Sequence, residues 1–281
     1  SVLVAAALYT PQAMAEFTAV VTGGSTVNGE TVENGTQSVL QGGVTTDIIV
    51  DNGGTQVVYD GGEVNGTKVL NGGVLYVEWY GTANNAVIEE GGEIIIDNSS
   101  HKAINIHLAG GANLDVDMSK NITVTGENAL GVFSIENGVA NDVLLENGGL
   151  LQVNKNTEAI NTVIKNGGKQ IVYSDAVAVG TSIEKGGVES VYGTAISKNT
   201  TIKNGGVQEV FGTAEDTTIY NGGKQYVSGT DTSAIINGGQ QTVKTGGKAT
   251  GATINSGTQL VQADGSAENT TIKAGGQQDV S

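Results

Sequence analysis

The chain has 281 residues, of which 44 are glycine, and it contains a single proline and no cysteine. Its formal net charge is −16 and its thirteen basic residues are all lysines, which argues against binding to nucleic acid or other phosphate-rich partners. The absence of cysteine excludes disulfides and thiol chemistry, and an apolar fraction of 38% is too high for a disordered glycine-rich linker.

The N-terminal segment SVLVAAALYTPQAMA, residues 1–15, has features of an export signal. An apolar run precedes Ala13-Met14-Ala15, which has the small-x-small pattern of a signal-peptidase site. The basic region that normally comes before the apolar run is not in this segment, and a short N-terminal strand is the alternative interpretation. We predict that residues 1–15 are the remnant of a signal peptide and that the mature chain begins at Glu16.

From residue 34 onward the sequence repeats a glycine-rich corner, most clearly as Asn-Gly-Gly. Most steps between corners are 19 residues long and the shorter ones are 16 to 18. The interval from Ala109 to Asn147 is 38 residues, which we interpret as two turns whose intermediate corner has been lost. A period held over most of the chain predicts a solenoid. The corners begin at Asn34, Asn52, Asn71, Glu90, Ala109, Asn147, Asn166, Lys185, Asn204, Asn221, Asn237, Asn255 and Ala274.

The residues between corners have the pattern of short strands. A β-branched residue stands two positions before most corners and another six positions after them, as at Val50 and Val58, and no helical stripe of useful length occurs. A repeat of 19 residues fits one turn with three short faces. We therefore predict an all-β fold, a right-handed parallel β-helix with about 13 turns stacked at roughly 4.8 Å. Glycine and asparagine suit its corners because both adopt positive φ at low cost.

A glutamine recurs four residues after the corner, on the same strand face as the inward valines. We interpret this column as a buried ladder of amide hydrogen bonds, and a polar strip that binds glycans is the alternative. The column contains Gln56, Gln170, Gln208, Gln225, Gln241, Gln259 and Gln278.

Aromatic residues provide the candidate partner-binding surfaces. Tyr173, Tyr192 and Phe211 occupy the same position in three consecutive turns, so we expect them to stack on the outer face. Such a strip either binds sugars or proteins or simply shields the sheet. The densest aromatic cluster, which contains the only tryptophan, is the second candidate contact: Tyr76, Trp79 and Tyr80.

Residues 98–138 depart from the repeat and contain both histidines, His101 and His107, together with Asp115 and Asp117. We expect an irregular, solvated coil here and no metal site, since no calcium-loop pattern is present. The sequence has no recognisable nucleophile, metalloprotease or phosphate-loop motif, and its acidic residues are scattered. We therefore predict no catalytic residues, no cofactor and no enzymatic activity.

The repeats resemble those of bacterial autotransporter passenger domains of the diffuse-adherence adhesin and antigen 43 group. The resemblance runs from about Asn34 to the C-terminus, as in NGGVQEVFGTAEDTTIYNGG and SGTQLVQADGSAENTTIKAGG. It implies that residues 16–281 are a β-helical passenger with an irregular stretch at 98–138. It also implies a C-terminal outer-membrane translocator barrel, which we expect to lie outside this sequence.

The resemblance implies a function at the surface of a Gram-negative bacterium, or in secreted form, as a virulence factor. In this family, passengers mediate adhesion to host cells and self-association into aggregates and biofilm, so the implied partners are a host cell-surface protein or glycan and other copies of the chain. Passengers of this type from Bartonella include an angiogenic factor, and a released ligand of a vascular endothelial growth-factor receptor is the alternative function. Some passengers are glycosylated, and the candidate acceptors here are Thr200, Thr201, Thr217, Thr218, Thr270 and Thr271.

Overall fold

Short β-branched runs between glycine-rich corners fold as strands that hydrogen-bond to the same segment of the next turn. The computed structural model describes residues 17–281, and in this range it contains strands and turns but no helix. These strands form a parallel β-solenoid of about 14 turns, which confirms the predicted parallel β-helix. The predicted signal-peptide remnant at residues 1–15 lies outside the described residues.

Within the described residues the solenoid has 39 strands. The first turns contain β1 (Phe17–Val21), β2 (Thr26–Asn28), β3 (Thr31–Val32), β4 (Gly35–Val39), β5 (Val44–Thr46), β6 (Ile49–Val50), β7 (Gly54–Val58), β8 (Glu63–Asn65), β9 (Lys68–Val69), β10 (Val74–Val77), β11 (Thr82–Asn84), β12 (Val87–Ile88) and β13 (Glu93–Ile96). The central region contains β14 (Lys102–Leu108), β15 (Asn113–Asp117), β16 (Thr123–Asn128), β17 (Gly131–Glu136), β18 (Val139–Asn141), β19 (Leu144–Leu145) and β20 (Leu150–Val153). The remaining strands are β21 (Glu158–Ile160), β22 (Val163–Ile164), β23 (Lys169–Val172), β24 (Val177–Val179), β25 (Ser182–Ile183), β26 (Val188–Val191), β27 (Ile196–Lys198), β28 (Thr201–Ile202), β29 (Val207–Val210), β30 (Thr213–Glu215), β31 (Thr218–Tyr220), β32 (Lys224–Val227), β33 (Thr230–Thr232), β34 (Ile235–Val243), β35 (Lys248–Thr250), β36 (Thr253–Val261), β37 (Ser266–Glu268), β38 (Thr271–Ile272) and β39 (Gly276–Val280).

The strands belong to two large sheets of 20 and 19 strands, which we call sheet A and sheet B. In a regular turn the strand after the glycine-rich corner lies in sheet A and the next strand lies in sheet B, as β7 and β8 do. Neighbouring turns pair in register, so Leu75 of β10 lies between Gln56 of β7 and Ile94 of β13. Equivalent positions of the repeat therefore form straight columns along the rod.

The core is built from columns of aliphatic side chains. Val58, Val77 and Ile96 follow one another in sheet A and are buried, and Val50 and Val69 do the same on the short third strand. Complete burial of such a side chain stabilises the fold by about 1.5–3 kcal/mol relative to an exposed one. The repeated aliphatic positions therefore provide a continuous core that needs no large aromatic residue.

The second glycine of the corner is required because the backbone of the previous turn lies very close. A Cβ atom on Gly54 would lie 2.1 Å from the carbonyl oxygen of Val32. The first glycine of the same corner, Gly53, has φ of +71°, a backbone conformation that is strained for any residue with a side chain. The Asn-Gly-Gly motif is thus explained by the geometry of the turn.

The 38-residue interval forms one long turn and not two, which corrects our interpretation of the spacing. Strand β15 pairs directly with β20, with Asp115 beside Leu150. The additional residues form an antiparallel hairpin of β16 and β17, and β18 pairs antiparallel with β17 and parallel with β21. Where a regular corner would have two glycines, Asn128 is followed by Ala129 and Leu130, and the chain reverses there.

Residues 98–138 are largely regular strands, β14 to β17, in place of the irregular coil that we expected. The sequence repeat is lost there because antiparallel pairing does not require glycine-rich corners. None of the described residues belongs to a helix that is long and apolar enough to cross a membrane.

Candidate functional site

The recurring glutamines form a buried ladder, as the strand pattern predicted. Gln225 donates to the side-chain carbonyl of Gln208 at 2.9 Å, Gln241 to Gln225 at 2.7 Å and Gln259 to Gln241 at 2.6 Å. These four side chains are fully buried. The ladder is therefore part of the core, and its amides are not accessible to a glycan.

Sequence counting did not show that the ladder is divided by an apolar section. In the middle of the rod, Leu75, Ile94 and Leu114 occupy the glutamine position in three consecutive turns, and Leu151, which pairs with Val116 on one side and with Gln170 on the other, continues the apolar section. On the N-terminal side Gln56 donates to Gln37 at 2.7 Å, and the longer part of the ladder begins at Gln170. The polar and apolar sections of the core thus alternate along the rod.

Tyr173, Tyr192 and Phe211 form the expected aromatic strip on the outer face. The ring centroids of Tyr173 and Tyr192 are 6.3 Å apart with an interplanar angle of 22°, and those of Tyr192 and Phe211 are 5.0 Å apart with an angle of 1°. Tyr173 is 37% exposed and Phe211 is 45% exposed. The strip is a rigid, partly exposed aromatic surface whose spacing is fixed by the pairing of β23, β26 and β29.

Trp79 and Tyr80 are the most exposed aromatic side chains of the second candidate contact, at 65% and 62%. Both residues have positive φ, 35° and 63°, and Tyr80 stands where Gly61 stands in the preceding turn. Bulky residues rarely adopt this conformation, so the corner is strained. Tyr76 lies apart from them on the outer face of β10, where burial and the charge of Glu78 raise the pKa of its hydroxyl.

The hairpin opens a cleft at the corner between sheets A and B. Strands β15 and β20 are neighbours in sheet A, whereas β17 and β18 separate β16 from β21 in sheet B. Two additional strands widen sheet B by roughly 10 Å at the usual strand spacing. The resulting cleft has a volume of about 800 Å³, and Asp117, Gln152, Asn154 and Tyr173 are among its lining residues.

Hydrogen bonds and ion pairs fix the walls of the cleft. The side-chain amide of Asn154 donates to the carboxylate of Asp117 and also to the carbonyl of Met118 at 2.9 Å. The hydroxyl of Tyr173 donates to the side-chain carbonyl of Gln152 at 3.3 Å, so the first ring of the aromatic strip is also part of the cleft. Sequence reasoning identified Tyr173 but missed its polar neighbours, because they depend on the hairpin.

The acidic residues beside the cleft are partly buried. Burial raises the pKa of Asp115 to about 6, with smaller contributions from the charges of Glu93 and Asp117. His101 is buried and hydrogen-bonds with Asp97 through Nε2, whereas His107 is exposed on β14. In residues 17–281, no three His, Asp or Glu side chains are grouped in a way that could hold a metal ion.

The paired threonines differ in accessibility. Thr200 and Thr217 are fully buried, and Thr217 donates to Gln208 of the ladder at 3.4 Å. Thr201 and Thr218 are half-buried on the outer face, and at the last turn Thr271 is exposed while Thr270 is half-buried. Glycosylation of these residues stays a prediction. In the folded rod, Thr201 and Thr218 are accessible to modification, whereas Thr200 and Thr217 are not.

Two comparisons relate the chain to known proteins. Residues 125–187, around the hairpin, match a family model described as "Adhesin of bacterial autotransporter system, probable stalk". The whole rod is similar to the crystal structure of a fragment of TibA that was hyper-glycosylated by TibC. The two chains are 27% identical and superpose with a TM-score of 0.59 over 94% of this chain and 92% of the TibA fragment.

The fold and these comparisons together define the class of the protein. The family model, which matches residues 125–187, and the TibA structure support an autotransporter adhesin passenger domain. Passengers of this family are displayed on the surface of, or secreted from, Gram-negative bacteria. The two comparisons also suggest a structural, non-enzymatic passenger.

Proposed function

We propose that the chain is an adhesive passenger that attaches the bacterium to host-cell surfaces and to other copies of itself, and in this way acts as a virulence factor. The observation that carries the proposal is the aromatic strip, whose three rings are stacked and partly exposed on a rigid rod. Contacts repeated along a rod combine by effective concentration, so each of them can be weak. Trp79 and Tyr80, exposed at a strained corner, are a second contact on the same molecule.

Adhesion and self-association can be tested with bacteria that display the chain. We expect cell binding and settling of the culture, and we expect Tyr192→Ala to reduce both, since Tyr192 stacks on both of its neighbours. Tyr220→Ala is the matched control, because Tyr220 is 46% exposed and lies outside the strip. Displayed rods that neither bind cells nor settle would contradict the proposal.

Glycosylation of the passenger is proposed by analogy with the TibA fragment, which was hyper-glycosylated by TibC. In this chain the candidate acceptors that are not fully buried are Thr201, Thr218, Thr270 and Thr271. Mass spectrometry of the chain co-expressed with a glycosyltransferase such as TibC tests the proposal. Modification at the buried Thr200 or Thr217 would instead indicate that glycosylation precedes folding.

A released angiogenic ligand is the alternative function, and it rests on the sequence resemblance alone. Purified residues 16–281 added to endothelial cells should produce phosphorylation of the vascular growth-factor receptor if the alternative holds. Adhesion without receptor phosphorylation would leave the adhesive passenger as the function.

A further inference from the structure

The cleft beside the hairpin and the aromatic strip form one continuous surface. Tyr173 belongs to both, since its hydroxyl bonds to Gln152 in the cleft and its ring stacks on Tyr192. The surface therefore runs from a polar depression of about 800 Å³ onto a line of aromatic rings. A ligand bound there would be extended along the rod.

The cleft walls offer closely spaced hydrogen-bonding groups and balanced charges. Amides, carboxylates and ammonium groups are all represented, in the residues Asp117, Lys120, Gln152, Asn154, Lys155 and Asp175. Lys155 pairs with Asp175 at 3.1 Å, and Lys120 is exposed near Asp117 in the same lining. A hydrogen bond from Thr194 and the interactions with Lys155 lower the pKa of Asp175. Two positive and two negative side chains favour a ligand without net charge.

The same features argue against a peptide, a phosphorylated ligand or an acidic ligand. Strands β15 and β20 use their hydrogen-bonding groups on each other, so the cleft offers no free sheet edge for an added strand. Met118 is buried, which leaves Tyr173 as the apolar contact surface. The lysines of the cleft are matched by carboxylates and the chain has no arginine, so an anionic ligand would gain little binding free energy from charge.

We propose that this cleft, together with the adjoining aromatic strip, binds a neutral oligosaccharide. The ring of Tyr173 stacks on the apolar face of one sugar, and Gln152, Asn154 and Asp117 exchange hydrogen bonds with the hydroxyl groups of the next. Tyr192 and Phe211 continue the partly exposed aromatic surface along the rod, next to the ring of Tyr173. This inference rests on the proposed adhesive function, because it names the ligand class of the surface by which the passenger adheres.

Binding of neutral tetrasaccharides of glucose, galactose and N-acetylglucosamine to the full 281-residue chain tests the proposal by calorimetry. A sialylated tetrasaccharide serves as the charged comparison. We expect binding of at least one neutral probe, and we expect Tyr173→Ala and Gln152→Ala each to weaken it by about tenfold. Tyr220→Ala, which removes an exposed ring elsewhere, is expected to leave the affinity unchanged, and circular dichroism checks that all variants are folded.

The proposal is overturned if no neutral probe binds, if only the sialylated probe binds, or if Tyr220→Ala weakens binding as much as Tyr173→Ala. A separate experiment measures adhesion of displaying bacteria to host cells before and after enzymatic removal of surface glycans. Adhesion that persists on deglycosylated cells and is lost on protease-treated cells points to a protein partner, so that the oligosaccharide inference fails while the adhesive function stands. Absence of adhesion in every arm contradicts the adhesive function itself.

Discussion

The side-chain amides of Gln170 and Gln208 both donate to the carboxylate of Glu189, at 2.9 Å and 2.7 Å. The two bonds point in opposite directions along the rod, because the two glutamines lie on opposite sides of Glu189. Glu189 is fully buried, and its two carboxyl oxygens accept these hydrogen bonds. The glutamine ladder therefore changes direction at this residue. One consequence is that the side-chain carbonyl of Gln170 is buried without a partner.

Replacing the carboxylate by an amide should align the ladder. In Glu189→Gln the new amide can donate to the carbonyl of Gln170 while its own carbonyl still accepts from Gln208, so we expect the free energy of unfolding to rise by about 1 kcal/mol. Denaturation in guanidinium, followed by circular dichroism at neutral pH, measures the change. The contrasting variant Gln208→Glu places two carboxylates side by side in the core and should lower stability by about 3 kcal/mol or more. Equal stability of the two variants would contradict this account of the ladder.

Asp231 gives the rod a pH-dependent stability. This buried side chain accepts hydrogen bonds from Gln225 and Gln241, and burial raises its pKa from 3.8 to about 6 in spite of them. The unfolded chain releases the proton near pH 4, whereas the folded chain keeps it up to about pH 6. The stability should therefore fall by about 3 kcal/mol as the pH rises from about 4 to about 6, and then stay constant.

The variant Asp231→Asn should remove this pH dependence and be more stable than the parent chain at pH 7. Guanidinium denaturation at several pH values between 4 and 7 measures the effect. Asp264→Asn, at an exposed corner, is the control and should retain the slope of the parent chain. If the stability of Asp231→Asn still depends on pH in this range, another group is responsible, and Asp115 is the first candidate.

The strained corner at Tyr80 predicts a conflict between stability and binding. Tyr80→Gly restores the residue type that the preceding turn has at Gly61, and we expect it to stabilise the rod by about 1 kcal/mol because a side chain at positive φ is unfavourable. The same change should weaken adhesion if the exposed ring contacts a partner. Thermal unfolding and cell binding measure the two effects, and Tyr80→Phe, which keeps the strain, should leave stability unchanged. A loss of stability in Tyr80→Gly would contradict the assignment of strain.

Two glycines of the corners, Gly54 and Gly110, should differ sharply in their tolerance of alanine. In Gly54→Ala the new Cβ would lie 2.1 Å from the carbonyl oxygen of Val32, so we expect a loss of about 2 kcal/mol or more as neighbouring turns separate. At Gly110 a Cβ would meet nothing within 4 Å, and Gly110→Ala should be neutral. The midpoint of guanidinium denaturation distinguishes the two variants. Similar midpoints would indicate that the corners are more loosely packed than the structure shows.

The solenoid could be predicted from the sequence because each turn repeats the same local requirements. In each regular turn the residues equivalent to Gly54 and Val58 stand at the same distance from each other in the sequence. This pattern alone indicates both the position of the corner and the inward face of the strand. The glutamine ladder and the stacking of Tyr192 on Phe211 followed from strand parity, since pairing in register makes equal positions into columns.

The hairpin and the cleft could not be predicted in the same way. The interval from Ala109 to Asn147 has the length of two regular turns, so counting could not separate two turns from one turn with a hairpin. The difference depends on whether Asp115 pairs with a nearby residue or with Leu150, which is a long-range contact. The residue types at 128–130, without the two glycines of a corner, were the available signal.

The hairpin also shows how such a rod can accept an insertion in one of its two sheets only. Sheet A passes directly from β15 to β20 with a register shift of two residues, since Val116 pairs with Ile96 on one side and with Leu151 on the other, while the inserted chain is accommodated in sheet B. Leu130 and Val132 near the hairpin tip are exposed and serve no role in the core. Since extending a surface loop adds little closure entropy, foreign peptides could be presented at this tip without disturbing the stacked turns. The solenoid can in this way acquire new surface segments.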